Sequence, residues 1–360
     1  MTLVRAYYYC KVCGKGFCPR DNELGLHNTS LSVGIMRMVG LTAATVSFAE
    51  SSELMSELAG VSIGAKQIER VAEDLGRDIS DDERNTIQSE HCNASTMYLG
   101  MDGTGIPMRA SELRERQGKQ ADGSAKTREV KLVTVWSAEG RNKEGLPTRD
   151  PGSITYSAAI ESAAVKDTDN TNSVFAQRVV RESQRRNFGD AHRQVILGDG
   201  ALWIWNLADE EFPGAIQIVD LFHAKEHLSE VSKVIFGSKS DLGQQWAKQR
   251  YEELENDNMD DLLEALETHA KAYSEVQNCL NYFTRNRHRM TYAKFRAQGL
   301  CVGSGVVEAG CKLTIGTRLK RSGMHWTLKG ANAIIALRCC KLSGRFDNFW
   351  ERRSGKSIAA

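Results

Sequence analysis

At 360 residues, with 41% hydrophobic and 26% charged residues and only 5 prolines, the chain can bury a sizeable core. It reads as one large domain with an insertion or as two domains, and not as a disordered chain. No apolar run approaches the ~20 residues needed to cross a bilayer, and polar Tyr-Cys-Lys residues follow the N-terminus too soon for a signal peptide, so a cytoplasmic protein is the expectation. Formal net charge is +1, which supplies no global basic field, so a nucleic-acid binder of this composition has to use local patches.

In chain order, RAYYYCKVCGKGFCPRD reads as a short ribbon carrying a Cys-x-x-Cys knuckle at Cys10 and Cys13. The nine cysteines, without an export signal, favour reduced thiols or metal ligands over disulfides. Helical spacing runs from about Val33 to Leu58, and a further helix follows with Ile63, Ile68, Val71 and Leu75 on its apolar side and Ser62 as its expected cap. TMYLGMDGTGIPM reads as a strand ending at Asp102, and Arg109 to Lys126 as a polar loop. REVKLVTVWSAEG is a second strand, Ile154–Ala158 a third, and Ser173 to about Arg186 a helix. QVILGDGALWIWNLA is a strand ending in Asp199-Gly200 before a helix. AIQIVDLFHAKEHL repeats that theme, with Asp220 at the strand end and a helix from near His223.

Lys233 to Phe295 carries helical period and propensity with no strand signal, and reads as an insertion. One helix with Glu308 and a last amphipathic helix, LKGANAIIALRCCKL, complete the chain. The expected partition is a zinc-ribbon-like segment (1–28), a helical region (29–93), an α/β core in two parts (94–232 and 299–345), a helical insertion (233–298) and a tail (346–360). Strands alternating with helices, with acids at strand ends, point to an α/β sheet that binds ligands at its carboxyl edge.

An unpaired carboxylate at a buried strand end is costly unless a cation compensates. Mg²⁺ suits such a place, because it takes oxygen ligands and keeps waters for exchange. Two ions on shared carboxylates can stabilise both the attacking and the leaving oxygen of a phosphoryl displacement. Read singly, each Asp-Gly is more ordinarily a turn dipeptide. In VGSGVVEAGCKLTIGTRLKRSGMHW, Val306, Gly310, Leu313 and Thr317 lie on one helical stripe, with Lys312 one turn after Glu308 on the face of Ile315 and Leu319. Spacing leaves two readings of Glu308 and Lys312 open: an (i, i+4) surface ion pair, or a metal ligand with a phosphate-side cation.

Taken together, MDGTGIP, GDGALWIW, VDLFHAKEHL, SGVVEAGCK and RLKRSGMHW resemble insertion-sequence DDE transposases of the ISKra type, with looser similarity to Mutator-like enzymes. The resemblance spans about Tyr8 to Leu342, with the motifs in the family's order. It implies an RNase H-like catalytic fold interrupted by a helical insertion, with Asp102, Asp199 and Glu308 as the catalytic triad holding two Mg²⁺ or Mn²⁺ ions. It maps an aspartate–x–x–histidine signature onto Asp220 and His223, which read equally as helix cap and core histidine on structural grounds, while their place at the sheet edge of Asp102 and Asp199 favours a site-proximal role rather than metal ligation. The implied reaction is hydrolysis that exposes a 3′-hydroxyl, followed by attack of that hydroxyl on target DNA. The implied partners are the element's terminal inverted repeats and target DNA, with the chain assembled on DNA as a homo-oligomer.

Local basic clusters are the expected phosphate contacts, with Arg318, Lys320 and Arg321 first and the stretch Arg285–Arg296 second. Cys10 and Cys13 supply two of the four ligands of a structural zinc site, which makes zinc doubtful. Cys18 and His27 are the available substitutes, and an upstream Cys-x-x-Cys is expected if the start is truncated. Cys279, Cys301, Cys311, Cys339 and Cys340 read as buried packing, as do Trp203 and Trp205. The competing functions are a structure-specific nuclease on the same fold and an inactive, truncated DNA-binding relic.

Overall fold

The computed structural model describes residues 6–23, 31–86, 94–114, 118, 120, 123, 125–164 and 172–358. The chain divides into two compact units, one of residues 1–86, 107–126 and 317–360 and the other of residues 87–106 and 127–316.

In the first unit, Tyr8–Tyr9 pairs antiparallel with Gly16–Phe17 in the expected ribbon, with Cys10 and Cys13 exposed in its turn. The helical signal from Val33 to Leu58 resolves into two helices, Val33–Thr45 and Phe48–Ala59. The break is local chemistry. Ser47 accepts from the Glu50 N–H while the Glu50 carboxylate accepts from the Ser47 N–H, a capping box that starts a new helix. The next helix, Ala65–Asn85, begins at Gly64 rather than at Ser62. It buries Ile68, Ala72, Leu75, Gly76 and Ile79, an i, i+4, i+7, i+8, i+11 stripe.

Gly76 touches the backbone of Ala333 so closely that a Cβ there would overlap it. That approach seats the helix Leu328–Leu342 in this unit and not, as expected, in the last part of the α/β core. The Leu328–Leu342 helix is also buried on nearly all sides rather than amphipathic. Residues 346–360, expected as a tail, carry a helix from Phe346 to Ile358, with Phe346, Phe349 and Trp350 buried.

The second unit is a mixed α/β fold. The five strands of its main sheet are β1 (Thr96–Pro107), β2 (Thr127–Ser137), β3 (Thr155–Ala159), β4 (Arg193–Gly198) and β5 (Ile216–Val219), in the spatial order β3-β2-β1-β4-β5. β1, β4 and β5 run parallel to their neighbours in that half, while β2 and β3 pair antiparallel. Helices Val174–Arg185, Leu202–Glu211 and Leu221–Phe236 flank the sheet. A five-stranded mixed sheet flanked by helices is consistent with an RNase H-like core.

The stretch expected as an insertion carries four α-helices, Asp241–Glu255, Met259–Ala270, Ser274–Asn286 and Tyr292–Ala297. Leu254, Leu262, Leu266, Val276 and Phe283 from these helices join the sheet's own hydrophobic core. A two-residue hairpin, Gly140–Arg141 with Pro147–Thr148, was not expected. Among the described residues no helix is long and apolar enough to cross a membrane.

Candidate functional site

Strand register brings the acids together. Gly100 of β1 pairs with Leu197 of β4, and Gly198 of β4 pairs with Val219 of β5. Asp102 and Asp199 therefore each stand two residues past one matched pair, and Asp199 and Asp220 one residue past the other. The three acids lie level on three neighbouring parallel strands, Asp199 and Asp220 just past the carboxyl ends of theirs. Asp102 is not at the end of its strand, as expected, because β1 runs on to Pro107. Its other neighbour, β2, outlasts β4, and Gly103 and Gly105 lie against Glu129 and Thr127 of that strand.

A cavity of about 320 Å³ opens at this edge, lined by Asp102, Asp199, Asp220, Phe222, His223 and Glu308 among others. Glu308 reaches it on the helix Gly305–Cys311, which continues through a π-helical turn, Lys312–Gly316. Gly100 shares a strand face with Asp102, and a Cβ on Gly100 would overlap the Val307 side chain. Gly310 makes a similar approach, since a Cβ there would stand 2.9 Å from the Tyr156 ring. The two glycines let the Glu308 helix press directly onto the sheet.

The buried positions along this run are Val307, Gly310, Cys311, Thr314, Ile315, Arg318 and Leu319. That stripe corrects the expected one of Val306, Gly310, Leu313 and Thr317, because Val307, not Val306, meets Gly100. Lys312 is exposed, so it does not share the buried face of Ile315 and Leu319.

Each acid is anchored by backbone. Asp102 accepts from its neighbour Gly103 N–H at 2.6 Å, and Asp199 from Ala201 N–H at 2.9 Å. Asp220 is buried and both its oxygens are occupied, one by the His223 N–H at 2.6 Å and the other by the Ser304 N–H. It caps its own helix and ties down the residue that precedes the Glu308 helix. Leu221 N–H donates to the Val302 carbonyl at 3.0 Å and reinforces the tie. Asp220 is thus a clamp on the loop before Glu308.

His223, half-buried, stands 3.5 Å from Glu226 through Nδ1 and packs against His227. Burial lowers the pKa of His227, helped by the charge of His223. Burial raises the Asp102 carboxyl above its ordinary value, and the negative charge of Asp199 adds to the rise. Hydrogen bonds from the Cys311 thiol and the Gly103 N–H oppose it. Cys311 is therefore buried as expected, but its thiol also faces the site.

Sequence reasoning did not single out Gly100, Phe222 or Tyr282. Phe222 is 65% exposed at the cavity, where an apolar ring between two polar residues of the motif gave no signal. Tyr282, in the insertion, donates its hydroxyl to the Asp199 carbonyl at 2.8 Å.

Arg318 corrects an expectation. It is fully buried, with Nε donating to the Ala43 carbonyl at 2.9 Å and its guanidinium over the rings of Phe48 and Trp326. Desolvation pushes its pKa down to about 10. Arg318 does not reach solvent to meet a phosphate. Arg321 is engaged by Glu50 through two bonds of 2.6 and 2.7 Å, and that guanidinium is the main cause of a Glu50 pKa held at about 2. Lys320 is exposed. Cys10 and Cys13 stay the knuckle's two thiols, with Cys18 half-buried; His27 lies outside the described residues.

Among the described residues no three His, Cys, Asp or Glu side chains are gathered closely enough to enclose a metal ion by themselves. The donor chemistry at the cavity nevertheless fits a hard divalent cation. Asp102 and Asp199 are oxygen donors on neighbouring strands, positive charge would offset both the burial that raises Asp102 and the smaller repulsion from Asp199, and Mg²⁺ ordinarily takes one or two carboxylates with waters and substrate oxygens.

The fold and cavity define a mixed α/β unit with carboxylates level on neighbouring parallel strands. No family model and no curated protein matches the chain. Among solved structures, the chain is similar to the Drosophila P element transposase strand transfer complex, with 10% identity, 93% of this chain and 84% of that chain covered, and a TM-score of 0.30.

Proposed function

We propose that the chain is a metal-dependent phosphoryl transferase acting on DNA, a DDE transposase of the ISKra insertion-sequence type. The observation that carries this reading is the register that sets Asp102 and Asp199 level on neighbouring strands, with Glu308 lining the same cavity. The motif order across the chain supplies the finer assignment.

In this reading Asp102 and Asp199 are the side-by-side ligands, and Glu308 approaches from the helix opposite. Divalent metal, when bound, supplies charge stabilisation to the attacking and leaving oxygens. The carboxylates act as ligands and not as proton carriers. Asp220 keeps the Glu308 helix seated, and both of its oxygens are committed to backbone, which suits a structural anchor rather than a ligand.

Asp199→Asn tests the reading, because it keeps shape and removes one charge. Metal-free stability should hold or rise as repulsion with Asp102 is relieved, while Mg²⁺-dependent nicking and strand transfer on element-end DNA should disappear. A folded Asp199→Asn protein that nicks DNA at the wild-type rate removes the assignment. Nicking without any joining by the wild type would favour a structure-specific nuclease.

A further inference from the structure

Tyr282 lies in none of the motifs that carry the resemblance. It sits on the insertion helix Ser274–Asn286, and the next residue, Phe283, is fully buried in the core and fixes that helix. The Tyr282 hydroxyl donates to the Asp199 carbonyl at 2.8 Å. Gly200 has a φ of 97°, and a Cβ on it would stand 2.5 Å from the Tyr282 ring. Ala201 N–H in turn donates to the Asp199 carboxylate at 2.9 Å. The short turn after β4 is therefore held both by the Tyr282 phenol and by its own aspartate.

The Tyr282 ring also packs against His227, with centroids 4.4 Å apart and planes tilted by 41°, and His227 meets His223 edge to face at 4.8 Å. A row of rings thus connects the Asp220-capped helix to the turn that carries Asp199. Any buried tyrosine seeks an acceptor. Here the acceptor is the carbonyl of a proposed ligand, and the following position has a backbone conformation that favours glycine.

We propose that Tyr282 is a positioning residue through which the helical insertion fixes the Asp199–Gly200 turn and so aims the Asp199 carboxylate at Asp102. This rests on the metal-dependent reading given under Proposed function.

Mn²⁺ titrations of the full chain, followed by electron paramagnetic resonance, test it on wild type, Tyr282→Phe, Asp199→Asn and the double variant. Tyr282→Phe removes only the hydroxyl and should melt close to wild type. Its Mn²⁺ affinity should fall about ten- to hundredfold, as for other groups that orient a ligand from behind. In the Asp199→Asn background the same change should have no further effect on binding, a pattern that a general packing role would not produce. Nicking should lose kcat while KM for DNA stays unchanged.

Wild-type Mn²⁺ affinity in Tyr282→Phe, or an equal further loss in the Asp199→Asn background, overturns the proposal and leaves the metal-dependent reading standing. A wild-type chain that binds no Mn²⁺ overturns that reading itself, and the role of Tyr282 with it. If Tyr282→Phe does not fold, Gly200→Ala carries the test, because it keeps the hydroxyl and displaces the ring. Unchanged Mn²⁺ affinity in a folded Gly200→Ala protein would equally overturn the proposal.

Discussion

Asp102 carries the electrostatic strain of the site. Its carboxyl is raised above the ordinary value of 3.8, by burial first, with the charge of Asp199 adding to the rise. A carboxyl whose folded pKa is raised favours the folded state while protonated. That contribution is complete below the unfolded pKa and is lost as pH climbs through the folded one. Metal-free wild type should accordingly lose stability as pH rises through that window, and Asp102→Asn should not. The variant should melt above wild type at pH 7, with the difference gone near pH 3. Thermal melts at both values, in chelator, check this, and an Asp102→Asn protein melting below wild type at pH 7 would contradict it. The placement of Asp199 and Asp220 at strand ends was legible, because each follows an apolar strand signal and precedes a glycine or a helix start. Arg318 was misread for a complementary reason. A basic run looks solvated in sequence, and nothing local announces that the rings of Phe48 and Trp326 fold over this guanidinium.

At the level of elements, the strand and helix order of the α/β unit was readable from apolar periodicity, and so was the helical character of the stretch 241–297. Boundaries set by side-chain chemistry were less so, as at Ser47, where a capping box splits one helical signal into two. Packing between distant segments was not readable at all. Gly100 shows why, since its significance lies in Val307, which is far away in sequence and touches the strand only once folded. A methyl group at Gly100 has to displace the Glu308 helix from the sheet. Gly100→Ala should cost about 1–3 kcal/mol of stability, the usual range for overpacking a filled core. It should also lower nicking by more than that destabilisation explains, because Glu308 moves relative to Asp102 and Asp199. Denaturant melts beside single-turnover nicking separate the two effects, and a Gly100→Ala protein with full activity would show that the helix position is not critical.

For the molecule as a whole, a net charge of +1 supplies no general attraction for DNA, so on the proposed reading the carboxylate-lined cavity needs cations placed close by. Several candidates are already committed. Arg318 is buried, Arg321 is held by Glu50, Arg296 pairs with Glu255 at 2.8 Å, and Arg287 with Asp260 at 3.0 Å. In the unit that contains the cavity, Arg285 and Lys312 are exposed. Arg285 lies one turn beyond Tyr282 on its helix, and Lys312 one turn beyond Glu308 on its own. DNA lying across the cavity is expected to meet both. Replacing the two with Gln should weaken binding about equally for all sequences, since bonds to phosphate carry no base information. The slope of log affinity against log salt should flatten by about 0.9 for each duplex phosphate that is no longer neutralised. Stability should change by no more than about 1 kcal/mol, as expected for exposed charges. Arg318→Gln is the instructive contrast, because it should destabilise the fold by leaving the Ala43 carbonyl without its donor, while the salt slope of the folded fraction stays unchanged. Fluorescence anisotropy titrations at several salt concentrations read both outcomes. An unchanged slope for the Arg285 and Lys312 double variant would direct the DNA path away from the cavity mouth and toward Lys320 or Lys294.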